Sequence, residues 1–156
     1  MIMQLSDFKK QPRGPYLFDT WLWDQSIETT IGTLPVELYC DIDTLPSDAM
    51  ISLANELAVF AETYSTLLLD IIYGHYRCAE ARDWLRYWNV PAGLARSEVI
   101  SQVESIILNV HADLFAGVHI DPHWDPEHKL SLTYAGTITE VNEAPFRLDD
   151  GILIRN

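Results

Sequence analysis

A chain of 156 residues with 48% hydrophobic and 11% aromatic side chains carries enough apolar material for one core, which excludes global disorder. Its formal charge of −13 repels phosphate backbones and so argues against a nucleic-acid partner, while favouring encounter with a basic one. The apolar run Leu67-Leu68-Leu69 is closed by Asp70, and no run approaches the roughly 20 residues of a membrane span, so no membrane partner is expected.

The first ten residues lack the basic-then-apolar order of a signal peptide, and a cytoplasmic location is expected. Residues 1–15, with Pro12, Gly14 and Pro15, read as an irregular lead-in to a single domain spanning 1–156. Tyr16 to Trp23 is strand-like, with apolar residues on both parities. Ser26 to Ile31 is rich in β-branched residues, and Gly32-Thr33 reads as a turn. From Leu34 the alternation places Leu34, Val36, Leu38 and Cys40 on one face and Glu37 and Tyr39 on the other.

At Pro46-Ser47-Asp48 the period changes. Ser47 or Thr44 can cap a helix, and Asp48 suits the positive end of its dipole. Met50, Leu53, Leu57, Phe60, Tyr64, Leu67 and Ile71 then recur at helical spacing, continuing towards Leu85. Such a length predicts a break, near residues 62–65 or at Gly74. Asn89 to Gly93 ends the helical region, and a short helix is expected from Ser97. A second strand set follows at Ser105–His111, Leu114–Ile120, Leu130–Tyr134 and Thr137–Val141, with a final strand near Ile152–Ile154. Strands, helices, then strands without regular alternation predict an α+β fold. Its mostly antiparallel sheet comes from the N- and C-terminal strands, with the long central helical region packed on one face.

Charge is unevenly spread along this plan. Residues 14–76 hold ten acidic side chains and no Lys or Arg, whereas Arg77, Arg82, Arg86 and Arg96 give the next segment a positive balance. Acidity of this kind either keeps a protein soluble or presents a surface to a basic partner. Glu37, Asp41 and Asp43 are candidate contacts on such a surface; an acid/base pair among them is a weaker reading than a solvated strand end. Tyr73, Tyr76, Trp84, Tyr87 and Trp88 form an aromatic group interleaved with arginines. Core and interface packing accounts for it better than base stacking does. Cys40 and Cys78 read as two reduced thiols in a strand and a helix, with one disulfide as the alternative.

Residues 119–128 are densest in chemistry, holding His119, Asp121, His123, Trp124, Asp125, Glu127 and His128. In an extended chain His119, Asp121, His123 and Asp125 share a face, and with His128 they could ligate zinc or iron for a hydrolase or oxygenase. Pro122 and Pro126 oppose this by favouring bends. In the structural alternative Trp124 buries a large apolar area, Asp125 accepts backbone N–H groups, and Glu127 and His128 are solvated or paired. The chain contains no G-x-G-x-x-G, P-loop, G-x-S-x-G, H-E-x-x-H or C-x-x-C pattern.

Trp124-Asp125-Pro126-Glu127-His128, between an apolar strand and Leu130-Ser131-Leu132-Thr133-Tyr134, resembles the Trp-Asp-x-Glu-His-Gly hallmark of a bacterial domain-of-unknown-function family. Lys129 stands where that hallmark has glycine, which calls the turn geometry into question. The resemblance implies early strands, a helical middle and a C-terminal hallmark hairpin, and it carries over no catalytic residues. Small acidic domains of this kind are similar to immunity proteins encoded beside contact-dependent toxins. The reading is therefore a non-enzymatic acidic binding protein needing no cofactor. Its partner would be a protein, plausibly a basic toxin domain, contacted through Trp124, Asp125, Glu127, His128, Glu37, Asp41 and Asp43. The alternatives are the metal-dependent enzyme and a homo-oligomeric scaffold using exposed aromatics.

Overall fold

In the computed structural model, residues 2–141 are described in full, and the backbone is described for 146–149 and 152–155. The strands are β1 (Phe8–Lys10), β2 (Asp19–Trp23), β3 (Ile27–Thr29), β4 (Gly32–Leu34), β5 (Val36–Cys40), β6 (Val103–His111), β7 (Ala116–Pro122), β8 (Leu130–Tyr134), β9 (Ile138–Val141), β10 (Phe146–Asp149) and β11 (Ile152–Arg155). The helices are α1 (Asp48–Thr63) and α2 (Ser65–Ala81), and short 3-10 turns lie at Leu5–Asp7, Leu85–Trp88 and Val99–Gln102. One seven-stranded sheet runs β1-β2-β5-β6-β7-β8-β9, and β3-β4 and β10-β11 form separate hairpins. The α+β architecture expected from the element order is the one observed.

Alternation along the strands produces the two-sided sheet. Val36, Leu38, Cys40, Leu108, Val110, Val118, Ile120 and Leu132 are buried on one face, whereas Glu37, Tyr39, Asn109, His111, His119 and Thr133 occupy the other. The helices cover the first face: Cys40 meets Met50, and the Tyr134 ring packs on Phe60 at 5.0 Å while its hydroxyl donates to Glu56 at 2.9 Å. Burial of the Tyr134 ring, then its bond to Glu56, pushes this phenol up to about 12.

Ser47 caps α1 by accepting from the Met50 N–H at 3.2 Å, and Asp48 occupies the first turn. The continuous apolar stripe breaks at Tyr64 (φ −112°, ψ 31°), and the helix axes bend by 75°. The break lies in the 62–65 window; Gly74 passes inside α2 without one. No single helix is long and apolar enough to cross a membrane.

Two local expectations are corrected. The lead-in expected to be irregular contains the edge strand β1, because Phe8 buries under the sheet and Met3 exchanges two hydrogen bonds with Asn55 of α1, at 2.6 and 3.0 Å. The turn expected at Gly32-Thr33 sits two residues earlier, at Thr30-Ile31, where it closes the β3-β4 hairpin. Within the mostly antiparallel sheet, β5 and β6 pair in parallel, so the helices serve as a crossover between two antiparallel halves. Gly117 permits the close approach of β7 to β8, since a Cβ there would collide with the Leu132 carbonyl. Cys40 and Cys78 are not joined by a disulfide.

Candidate functional site: an aromatic and acidic pocket

The loop between β7 and β8 is built around Trp124. Pro122 is the last residue of β7, and the His123 N–H donates to the Gln102 carbonyl at 2.8 Å, which ties the loop to the start of β6. Trp124 then turns into the core and is 0% exposed. Its indole N–H donates to His75 Nδ1 at 2.8 Å, and its ring meets Tyr76 edge-on at 5.4 Å. Tyr76 in turn donates to the Pro91 carbonyl at 2.7 Å and accepts from the Leu94 N–H at 3.1 Å, so α2 holds both the Trp124 loop and the 89–94 segment.

Because an indole N–H only donates, His75 Nδ1 must accept, and the neutral ring carries its proton on Nε2. Burial pushes the His75 imidazole down to about 4, against the opposing pull of the Asp125 charge.

Asp125 is itself 4% exposed. Its Oδ1 accepts the His128 backbone N–H at 3.3 Å and lies 2.9 Å from His128 Nδ1, which closes the turn. Its Oδ2 is buried and has no hydrogen-bond partner among the described residues. The Lys129 N–H completes the loop by donating to the Asp125 carbonyl at 3.1 Å.

Trp124 and Asp125 form the floor of a cavity of about 350 Å³ whose other walls are Trp84, Tyr87, Trp88, Glu127 and His128. Trp84 reaches it from just after α2, and Tyr87 and Trp88 from the 3-10 turn closed by Asn89 in the left-handed region. Tyr87 and Trp88 are exposed, at 72% and 41%. Core and interface packing is the expectation for the five central aromatics. Tyr76 packs in the core, and Tyr87 and Trp88, left exposed, border the Trp124 loop. No spacing could reveal this, because Trp124 and His75 lie 49 positions apart.

The metal ligands expected from the period-two pattern do not come together. His119 and Asp121 do share the open face of β7, but His119 approaches Ser131 at 3.3 Å and Asp121 pairs with Lys129 at 3.4 Å. Beyond Pro122 the chain bends, so His123 is exposed, Asp125 turns inward and His128 closes its own turn. Among the described residues no three His, Cys, Asp or Glu side chains are placed to hold a metal ion.

The N-terminal acidic candidates lie elsewhere, on and beyond the open face of β5. Glu37 accepts the Tyr39 hydroxyl at 2.5 Å. Burial, then Glu37, raises the Tyr39 phenol. Asp43 is engaged by Arg13 at 3.1 Å and Lys10 at 3.5 Å. Its N–H donates at 2.8 Å to Asp19, whose carboxyl is held well below the usual range first by the Arg13 guanidinium, which donates to it at 2.8 Å, and then by that N–H. Asp43 is thus already compensated within the chain. Asp41 borders a depression of about 580 Å³ with Phe18, Tyr39, His111 and Asp113. Glu37, Asp41 and Asp43 do not border the Trp124 pocket.

Lys129 has φ +52°, a conformation that glycine adopts freely and an L-residue adopts only at a cost. A lysine thus occupies a left-handed turn position at the end of this loop. Lys129→Gly is expected to raise stability by about 0.5–1 kcal/mol, since relief of the backbone outweighs a half-exposed ion pair. Urea denaturation measures this, and a loss of stability would mean that the pairing with Asp121 governs.

No family model matches this chain, and neither a curated protein nor a solved structure does.

Proposed function

We propose that this chain is a non-enzymatic acidic binding protein that holds a basic protein partner, with the role of an immunity protein that neutralises a cognate bacterial toxin. The observation that carries the reading is the Trp124 pocket: exposed aromatic rings above a buried carboxylate, on a chain of formal charge −13. Exposed Trp and Tyr at a cavity rim are the side chains that anchor protein interfaces, and the overall charge speeds encounter with a basic surface. The hallmark-like loop supports the same reading by resemblance. The metal-enzyme alternative loses support because its ligands are separated. Exposed Tyr87, Trp88 and Phe115 also suit a contact between two copies of the chain, which light scattering distinguishes.

Co-expression with the toxin-like product of a neighbouring gene is the test. Growth should be rescued, the two chains should co-purify, and association should slow about tenfold or more between low and high salt. A toxin that forms no complex with the chain and kills as before would remove the immunity reading.

A further inference from the structure

We propose that the pocket between Trp84, Tyr87, Trp88 and Trp124 takes an organic cation, a guanidinium or alkylammonium group, between its ring faces and the Asp125 carboxylate. The inference rests on the binding reading only for where the cation comes from; the pocket's chemistry stands apart from it.

The lining contains two carboxylates, Asp125 and Glu127, and neither lysine nor arginine, so it selects against anions. Ring faces carry the negative end of an aromatic quadrupole and attract cations. Two of the four rings already bind one: the Arg82 guanidinium lies 5.1 Å from the Trp84 centroid and that of Arg86 lies 5.9 Å from Tyr87. Asp83 neutralises Arg86 at 2.7 Å, which limits its repulsion of a second cation.

The carboxylate is the second, independent observation. Asp125 is 4% exposed, His128 occupies one of its oxygens, and the other has no hydrogen-bond partner among the described residues. A carboxylate withdrawn from water is costly unless a positive charge compensates it. A purely apolar guest would leave that charge uncompensated, whereas an onium group would not. The volume of about 350 Å³ is at the small end of ligand pockets, which suits one cationic side chain or a small quaternary amine.

The test titrates the intact protein with tetramethylammonium, with a capped arginine and with neutral pivalamide, following tryptophan fluorescence and the indole N–H resonances in NMR spectra. Both cations should saturate and shift the indole signals, and the neutral probe should bind about tenfold more weakly or worse. Trp88→Ala and Asp125→Asn should each weaken the cations about tenfold, while Asp113→Asn on the distant sheet face leaves them unchanged. Should Asp125→Asn fail to fold, Trp88→Ala and Tyr87→Ala, both at exposed rings, carry the test. Equal binding of pivalamide, no saturation by either cation, or full affinity in Trp88→Ala would each overturn the proposal. A peptide presenting one arginine separates the sources, since tighter binding than the capped residue indicates a partner's side chain and equal binding a free cation. Cation binding without a toxin complex would sink the immunity reading alone. A toxin complex without cation binding would sink the pocket proposal alone.

Discussion

Trp124→Ala should cost about 3–5 kcal/mol of folding stability, the largest loss expected from any single truncation in the loop. The indole is fully buried, so its removal leaves a cavity between the Trp124 loop and α2 that close-packed neighbours fill only partly. It also strands His75 Nδ1, a buried acceptor whose donor at 2.8 Å is gone. The conservative variant separates these effects. Trp124→Phe keeps most of the ring and loses the hydrogen bond, and should cost about 1–3 kcal/mol. Combining it with His75→Leu removes both polar partners and should recover part of that loss, giving a coupling of about 1 kcal/mol in a double-mutant cycle. Chemical denaturation of the wild type, Trp124→Ala, Trp124→Phe, His75→Leu and the double variant measures all of it. A Trp124→Ala cost below about 1 kcal/mol would contradict a ring packed as described.

Acidification supplies the second large effect. His75 titrates near 6.5 in an unfolded chain and is pushed down to about 4 when folded. Between those values the unfolded state binds the extra proton, so stability falls as pH falls. The contribution is intact above pH 6.5 and has been lost, about 3 kcal/mol of it, once the pH reaches about 4. Protonation would also put a proton on Nδ1, facing the indole N–H that it must accept. Burial lowers His111 and His119 as well, and both add to the slope in the same direction. Asp19, whose carboxyl is held low chiefly by Arg13, contributes only below this window, where an ordinary carboxylate starts to protonate. Urea midpoints at pH 7.5, 5.5 and 4.5 should therefore fall steadily. In His75→Asn, which keeps an acceptor near the Nδ1 position, the slope should lessen by up to one proton, about 1.4 kcal/mol per pH unit. An unchanged slope in that variant would mean that His75 is not the buried neutral group described.

Both effects depend on one meeting of elements, and that meeting shows how far the sequence could be read. Alternation in Val36, Leu38 and Cys40, and again in Val118, Ile120 and Leu132, identified which side chains face the core, because a strand's two faces are fixed by a period of two. The three- and four-residue spacing from Met50 to Ile71 likewise identified the helical layer, and its excessive length foretold the break found at Tyr64. Turn chemistry at Asp125 was legible too, since a carboxylate between prolines tends to accept local N–H groups.

Composition and short-range pattern thus determined the acidity, the α+β plan and the loop's status as the chain's densest chemistry. Tertiary structure alone decided what that loop does. Pro122 ends the alternation, so Asp125 goes inward and the supposed metal ligands part. The parallel pairing of β5 with β6 and the docking of α2 bring His75 to Trp124, and Tyr87 and Trp88 across from Asp125. The physical reason is that periodicity reports only which face of its own element a residue occupies. Which distant element covers that face is settled by how the whole core closes.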